Sequence, residues 1–118
     1  MAIDYPRAMA AYKVGAEAGD AMSQYQLGCM YIKGRGGVDV DFKQARVWIE
    51  KAAAQDHPNA VNELALMHVG GEGATSSWRR ARELYQRAIE LGNSMAARNM
   101  QTLTGDIQQV QRNRSNLA

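Results

Sequence analysis

Cysteine is nearly absent from this chain: Cys29 is the only one among 118 residues. An intrachain disulfide is therefore excluded, which fits a reducing compartment. Histidine is as scarce, with His57 and His68 alone, and neither has a cysteine or carboxylate cluster beside it at ligand spacing. A structural zinc site needs about four converging ligands, so no metal and no other cofactor is expected. No apolar run approaches the ~18 residues needed to span a bilayer. The N-terminus has no basic segment followed by an apolar one, so no export signal is read. The expected location is the cytoplasm, although a trimmed periplasmic or secreted chain would give the same reading. Net charge is low as well, +2, and by itself calls for neither nucleic acid nor a membrane.

What is present is a globular composition, 46% hydrophobic and 22% charged, in one domain long enough to bury a core. The charge is unevenly spread. Met1 to Trp78 carries 7 basic and 9 acidic residues, whereas Arg79 to Ala118 carries 7 basic and 3 acidic. Such polarity can steer an acidic partner, but it is also what solvated helix faces carry.

Internal repetition organises the chain. Ala45, Trp48, Ile49, Ala52 and Ala53 fall at i, i+3, i+4, i+7 and i+8, the apolar stripe of an amphipathic helix. The stripe recurs as Ala81, Leu84, Tyr85, Ala88 and Ile89, and earlier as Ala8, Ala11, Tyr12, Gly15 and Ala16. A second pattern, SQYQLGCMYIKGRG (Ser23 to Gly36), aligns without a gap on AVNELALMHVGGEG (Ala60 to Gly73). AARNMQTL (Ala96 to Leu103) keeps the spacing and loses the paired glycines. The unit is a helix A, a glycine bend, a helix B and a short turn.

Punctuation agrees with these limits. Asp4, Asp41 and either Ser76 or Ser77 suit the starts of helices B. Pro6 and Pro58 suit first turns. Gly19 and Gly92, with Asp56 between them in register, suit left-handed helix ends. Helices are expected near 5–18, 21–33, 41–55, 58–69, 77–91 and 94–104, with a weaker one near 106–113. Antiparallel pairs of this length bury their stripes only by stacking, so the fold class is an all-α solenoid of about two full repeats and two half-repeats. The expected division is a partial repeat over 1–20, repeats over 21–57 and 58–93, and a partial repeat with a terminal cap over 94–118.

The stretch LGCMYIKGRGGVDVDFKQARVWIEKAAAQD resembles the Sel-1-like repeat. Leu27, Gly28, Tyr31, Gly34, Gly36, Val38, Asp41, Lys43, Ala45, Trp48, Lys51, Ala52 and Ala53 carry the likeness. The second unit departs from it with Ala65 and His68 where Gly and Tyr are usual. The tetratricopeptide repeat is the near relative and the second reading, but its unit lacks the paired-glycine bend. The resemblance implies a non-catalytic module that binds a protein partner, of adaptor, regulatory or toxin-immunity type. Cysteine-rich members described as β-lactamase-like depend on a disulfide in each repeat, which this chain cannot form.

Competing chemistries are weak. A phosphate loop needs a strand before its glycines and a helix directly after them; Gly34 to Gly37 follows a helix and recurs as Gly70, Gly71 and Gly73. Asp39 with Asp41, or Glu17 with Asp20, could suggest acid–base pairs, but Asp41 is better explained as a cap and the others sit at helix ends where solvated carboxylates are common. A hydrolase using Cys29 with a histidine lacks an activating neighbour. A nucleic-acid binder would use Arg79, Arg80, Arg82, Arg87 and Arg98, which spread around their helices instead of forming a stripe. Trp48 and Tyr85 read as core, and Trp78 as core or a ligand platform. No small-molecule substrate is indicated.

The surface remains. At 100° per residue, with Ser23, Leu27, Gly28 and Tyr31 facing the core, Met22, Tyr25, Gln26 and Cys29 face away. Their equivalents are Asn59, Asn62, Glu63 and Leu66, then Met95, Arg98, Asn99 and Thr102. The resemblance implies that helices A line the concave side, so these twelve are the candidate partner-binding residues. Two alternatives stay open: neighbouring repeats bury part of this face against each other, and terminal repeats join two copies into a homodimer.

Overall fold

The computed structural model describes residues 4–71 and 77–116. It holds helices α1 (Tyr5–Glu17), α2 (Ala21–Lys33), α3 (Phe42–Ala54), α4 (Pro58–Gly70), α5 (Trp78–Glu90) and α6 (Ala96–Asn116). There are no strands among the described residues.

Each helix B begins on the same device. Asp4, Asp41 and Ser77 accept hydrogen bonds from the backbone N–H groups of Arg7, Gln44 and Arg80 at 3.1, 3.0 and 3.2 Å. Each such cap contributes about 1 kcal/mol. Ser76, the other candidate cap, and Gly73 lie outside the described residues. Pro6 and Pro58 stand in first turns, as expected. The B-to-A turns pass through left-handed residues at Gly19, Asp56 and Gly92, with φ of 94°, 61° and 91°.

The bends after α2 and α4 are built alike. Gly34 and Gly71, at φ 67° and 71°, return their N–H groups to the carbonyls of Met30 and Met67. The Asp41 N–H then donates to Tyr31 O and the Ser77 N–H to His68 O, both at 2.9 Å. A Cβ on Gly36 would stand 2.8 Å from Met9 Cβ and 2.8 Å from Met30 Cε. Gly36 is thus packed against α1, and the glycine stretch is a bend between helices.

Every extensive helix–helix contact joins consecutive helices, and the molecule measures 55 × 29 × 28 Å. Its radius of gyration of 16.0 Å exceeds the ~13.5 Å of a compact domain of this length. This is an α-solenoid, with its core threaded along the stack. Ile49, Ala52, Ala60, Leu64, Met67, Ala81, Leu84, Tyr85, Ala96 and Leu103 belong to the larger core cluster. Met9, Ala16, Leu27 and Met30 form a smaller one under α1.

Three details depart from the sequence expectation. In α1, whose extensive packing is on α2 alone, Ala16 is buried but Ala8 and Tyr12 are half-buried and Ala11 is exposed. In α2, Ser23 and Tyr31 are half-buried while Gln24 and Met30 are buried. Gln24 is satisfied locally: its Nε2 donates to Ala16 O at 3.2 Å, and its Oε1 accepts from Gln55 Nε2 at 3.0 Å. The last helix does not stop near 104 but runs on to Asn116. The Gly34 and Gly71 register falls on Ile107, which packs against the core. Gly105 alone costs only about 1 kcal/mol within a helix, too little to break it.

Candidate interaction surface

Helices α2, α4 and α6 are the three helices A, and all three start on polar caps at repeat spacing. Asp20 accepts from the Ser23 N–H at 2.9 Å, His57 Nδ1 from Ala60 at 3.2 Å, and Asn93 Oδ1 from Ala96 at 2.9 Å. These caps were not among the sequence expectations. The signal was available as three polar residues in register, each three positions ahead of Ser23, Ala60 or Ala96.

The twelve candidate residues divide by what they touch. Met22, Leu66 and Met95 are 51%, 38% and 48% exposed. They are three of the seven large hydrophobic side chains that stand exposed among the described residues. Asn59, Arg98 and Thr102 are exposed too, and Tyr25, Gln26, Cys29, Glu63 and Asn99 are half-buried. Asn62 is different: it is 9% exposed, and its Oδ1 accepts from Asn99 Nδ2 at 3.0 Å. A second amide pair runs from Asn93 Nδ2 to Asn59 Oδ1 at 2.8 Å. Between α2 and α4 the corresponding tie is aromatic, with the Tyr25 ring stacked on His57 at 5.0 Å and 27°. Neighbouring repeats thus use part of this face to hold each other.

Two dents remain along it. One, of about 190 Å³, brings Gln26 and Cys29 together with Tyr5 and Tyr12 of α1, and Lys33 and Arg35 border it. The other, of about 110 Å³, brings Leu66, Asn99 and Thr102 together with Val69, Leu103 and Asp106. The α1 tyrosines stand on a helix B, outside the register of the helices A, and Asp106 lies beyond residue 104, where the last helix A was expected to end.

The chemistry of these groups is quiet. Burial pushes the Cys29 thiol up, against the opposing hydrogen bond from Tyr25. A nucleophilic cysteine needs the opposite shift. Burial likewise raises the Tyr25 hydroxyl, with Cys29 adding to it. No group of three or more metal-ligating side chains gathers among the described residues. No helix there is long and apolar enough to cross a membrane. Of the basic residues on α5, Arg80 pairs with Glu83 and Arg87 with Asp56. Trp78 is half-buried against the core, and Trp48 is half-buried with Lys51 Nζ 4.6 Å from its ring centre.

A solenoid of helix pairs, each pair hinged on a left-handed glycine bend, defines the class. The Sel1 repeat model matches residues 21–57 and 58–93, and the chain belongs to the Sel1 repeat family. It is similar in structure to a Sel1 repeat protein from Oxalobacter formigenes, at 33% identity and a TM-score of 0.75, over 80% of this chain and 39% of that one. It is similar also to c5321, a protective antigen of uropathogenic Escherichia coli with an SLR fold, at 34% identity and a TM-score of 0.75, over 79% of this chain and 20% of that one. Helicobacter pylori cysteine rich protein B shares the fold at 20% identity and a TM-score of 0.70, over 75% of this chain and 66% of that one. The chain thus spans well under half the length of the first two. No curated protein matches it. Sel1-repeat proteins generally mediate protein–protein interactions.

Proposed function

We propose that this chain is a non-catalytic module that binds a segment of a partner protein across the helix-A face, in an adaptor, regulatory or toxin-immunity role. One observation carries the reading: Met22 of α2, Leu66 of α4 and Met95, the residue just before α6, are left exposed on a face with only two charged candidates, Glu63 and Arg98. Solvated helix faces carry more charge, and apolar side chains that recur on one face of successive repeats offer a partner surface to bury. Methionine adapts its shape to a partner, and the two dents offer recesses for partner side chains.

The mechanism is preorganisation. The Asn62–Asn99 and Asn59–Asn93 amide pairs and the Tyr25–His57 stack hold the helices A in register before binding. Little ordering cost then falls on the repeat side, so modest contacts yield useful affinity.

Photo-crosslinking tests this reading. A photoreactive residue at Met22, Leu66 or Met95 should capture the same protein from source lysate, while one at the exposed Val47 of α3 should not. Capture at Val47 with none at the other three would contradict the assignment.

A further inference from the structure

The side of the stack formed mainly by α3 and α5 carries a groove that the helix-A reading does not use. It encloses about 360 Å³ and is lined by Arg46, Glu50, Leu64, His68, Arg80 and Arg87. Three guanidinium groups thus face one carboxylate in the lining.

Arg46 is the centre of this cluster. Its side chain is only 14% exposed. Its Nε donates to Glu50 Oε1 at 2.8 Å, and its Nη2 lies 2.9 Å from His68 Nε2. Its Nη1 is buried and has no hydrogen-bond partner among the described residues. A guanidinium cannot shed its proton to relieve that cost, and a buried donor without an acceptor is penalised by its full desolvation. Arg80 and Arg87 are held by Glu83 and Asp56. Those two carboxylates stand outside the lining, in exposed pairs of the kind that contribute little and exchange readily. Each arginine has further N–H donors to offer.

We propose that this groove binds a single oxyanion, a carboxylate or a phosphoryl group, gripped by Arg46 and Arg80 with Arg87 at its edge. The site is separate from the helix-A face and does not depend on the reading of that face. Leu64, Leu84 and Ala53 supply apolar lining, which strengthens charge-assisted hydrogen bonds by lowering the local dielectric. The space and the three forks suit a small planar or tetrahedral anion better than a nucleic-acid backbone, which needs a row of cations.

The two histidines make the test internal. His68 lines the groove, while His57 caps α4 beside Tyr25 and Asp20. His68 is held below its ordinary value by burial, then by Arg46 and Arg80, against an upward pull from Glu50. An anion seated between those arginines offsets their repulsion and raises it.

Imidazole NMR titrations of the full chain with sodium phosphate, and separately with an acetylated, amidated tetraglutamate peptide, should be run at ionic strength fixed with sodium chloride. The expected result is a saturable response of His68 with an upward pKa shift and a still His57. Arg80→Gln, at a largely exposed side chain, should weaken the response about tenfold, and Glu50→Gln should strengthen it. A response to phosphate alone assigns a free phosphoryl ligand, and a response to both probes extends the site to acidic protein segments. No saturable change at His68, or equal drift of both histidines in parent and Arg80→Gln, would overturn the proposal.

Discussion

Gly28 and Ile49 set the spacing of the first helix pair: a Cβ on Gly28 would lie 2.7 Å from both Cγ1 and Cδ1 of Ile49 and 3.2 Å from Ala45 O. Helices α2 and α3 therefore meet backbone to side chain, with no room for a methyl group. Gly28→Ala gains about 1 kcal/mol of helix propensity but overpacks this contact, at a cost of about 1–3 kcal/mol. The expected outcome is a net loss of stability in urea unfolding. Ile49→Val removes Cδ1, so the double variant should be more stable than the two single losses predict. Strict additivity would show that the two residues do not share this contact.

Gly105 presents the opposite case. It lies inside α6 and an added Cβ would meet nothing within 4 Å. Gly105→Ala should therefore stabilise the chain by about 0.5–1 kcal/mol, seen as a higher urea midpoint. A loss of stability would show that α6 turns or ends at this residue.

Acid should weaken the fold earlier than its carboxylates alone would. His57 and His68 are both held below the ordinary value of 6.5, in each case first by burial. For such a base the unfolded chain takes up its proton first as pH falls. The stabilisation is complete above about 6.5 and is lost as pH drops from there through the folded values. His57 must also stay unprotonated at Nδ1 to accept the Ala60 N–H. Thermal melting should fall between pH 7 and pH 5. His57→Asn supplies the cap that Asn93 already supplies to α6 and does not titrate, so its melting should depend less on pH over that range. An unchanged slope would remove His57 from the account.

The Asn62–Asn99 pair should couple the last two helices A. Asn62→Ala leaves Asn99 without its acceptor and buries less polar surface, with an expected cost of about 1–2 kcal/mol. In a double-mutant cycle with Asn99→Ala, the coupling should be about 0.5–1.5 kcal/mol. No coupling would mean that the pair is formed only at the surface of a register held elsewhere.

The legible parts of this fold are those that repeat. Asp4, Asp41 and Ser77, or Gly34 and Gly71, declare their roles because one physical need recurs at one spacing. The alanines at helix contacts are legible for the same reason. The burial of Gln24 and Asn62 was not, because polarity assigns such residues to water unless the partner is known. Their partners, Gln55 and Asn99, lie more than thirty residues away. His57 escaped notice as a cap because an imidazole rarely holds that position. The continuation of α6 depended on Ile107 reaching the core, a tertiary contact that outweighs one glycine. Of the candidate face, the exposed trio was readable from periodicity, whereas the dents beside α1 and α6 required the packed helices.

The central claim is that the helix-A face holds a protein partner, and co-purification from source lysate tests it most directly. The bait should be the parent chain beside Met22→Lys/Leu66→Lys/Met95→Lys, with Val47→Lys as a control on α3. All four positions are exposed, so each variant should keep its helical circular dichroism. The account predicts that one partner is retained by the parent and by Val47→Lys and is lost from the triple variant. Retention by the triple variant with loss from Val47→Lys would contradict it and move the binding surface to the helices B.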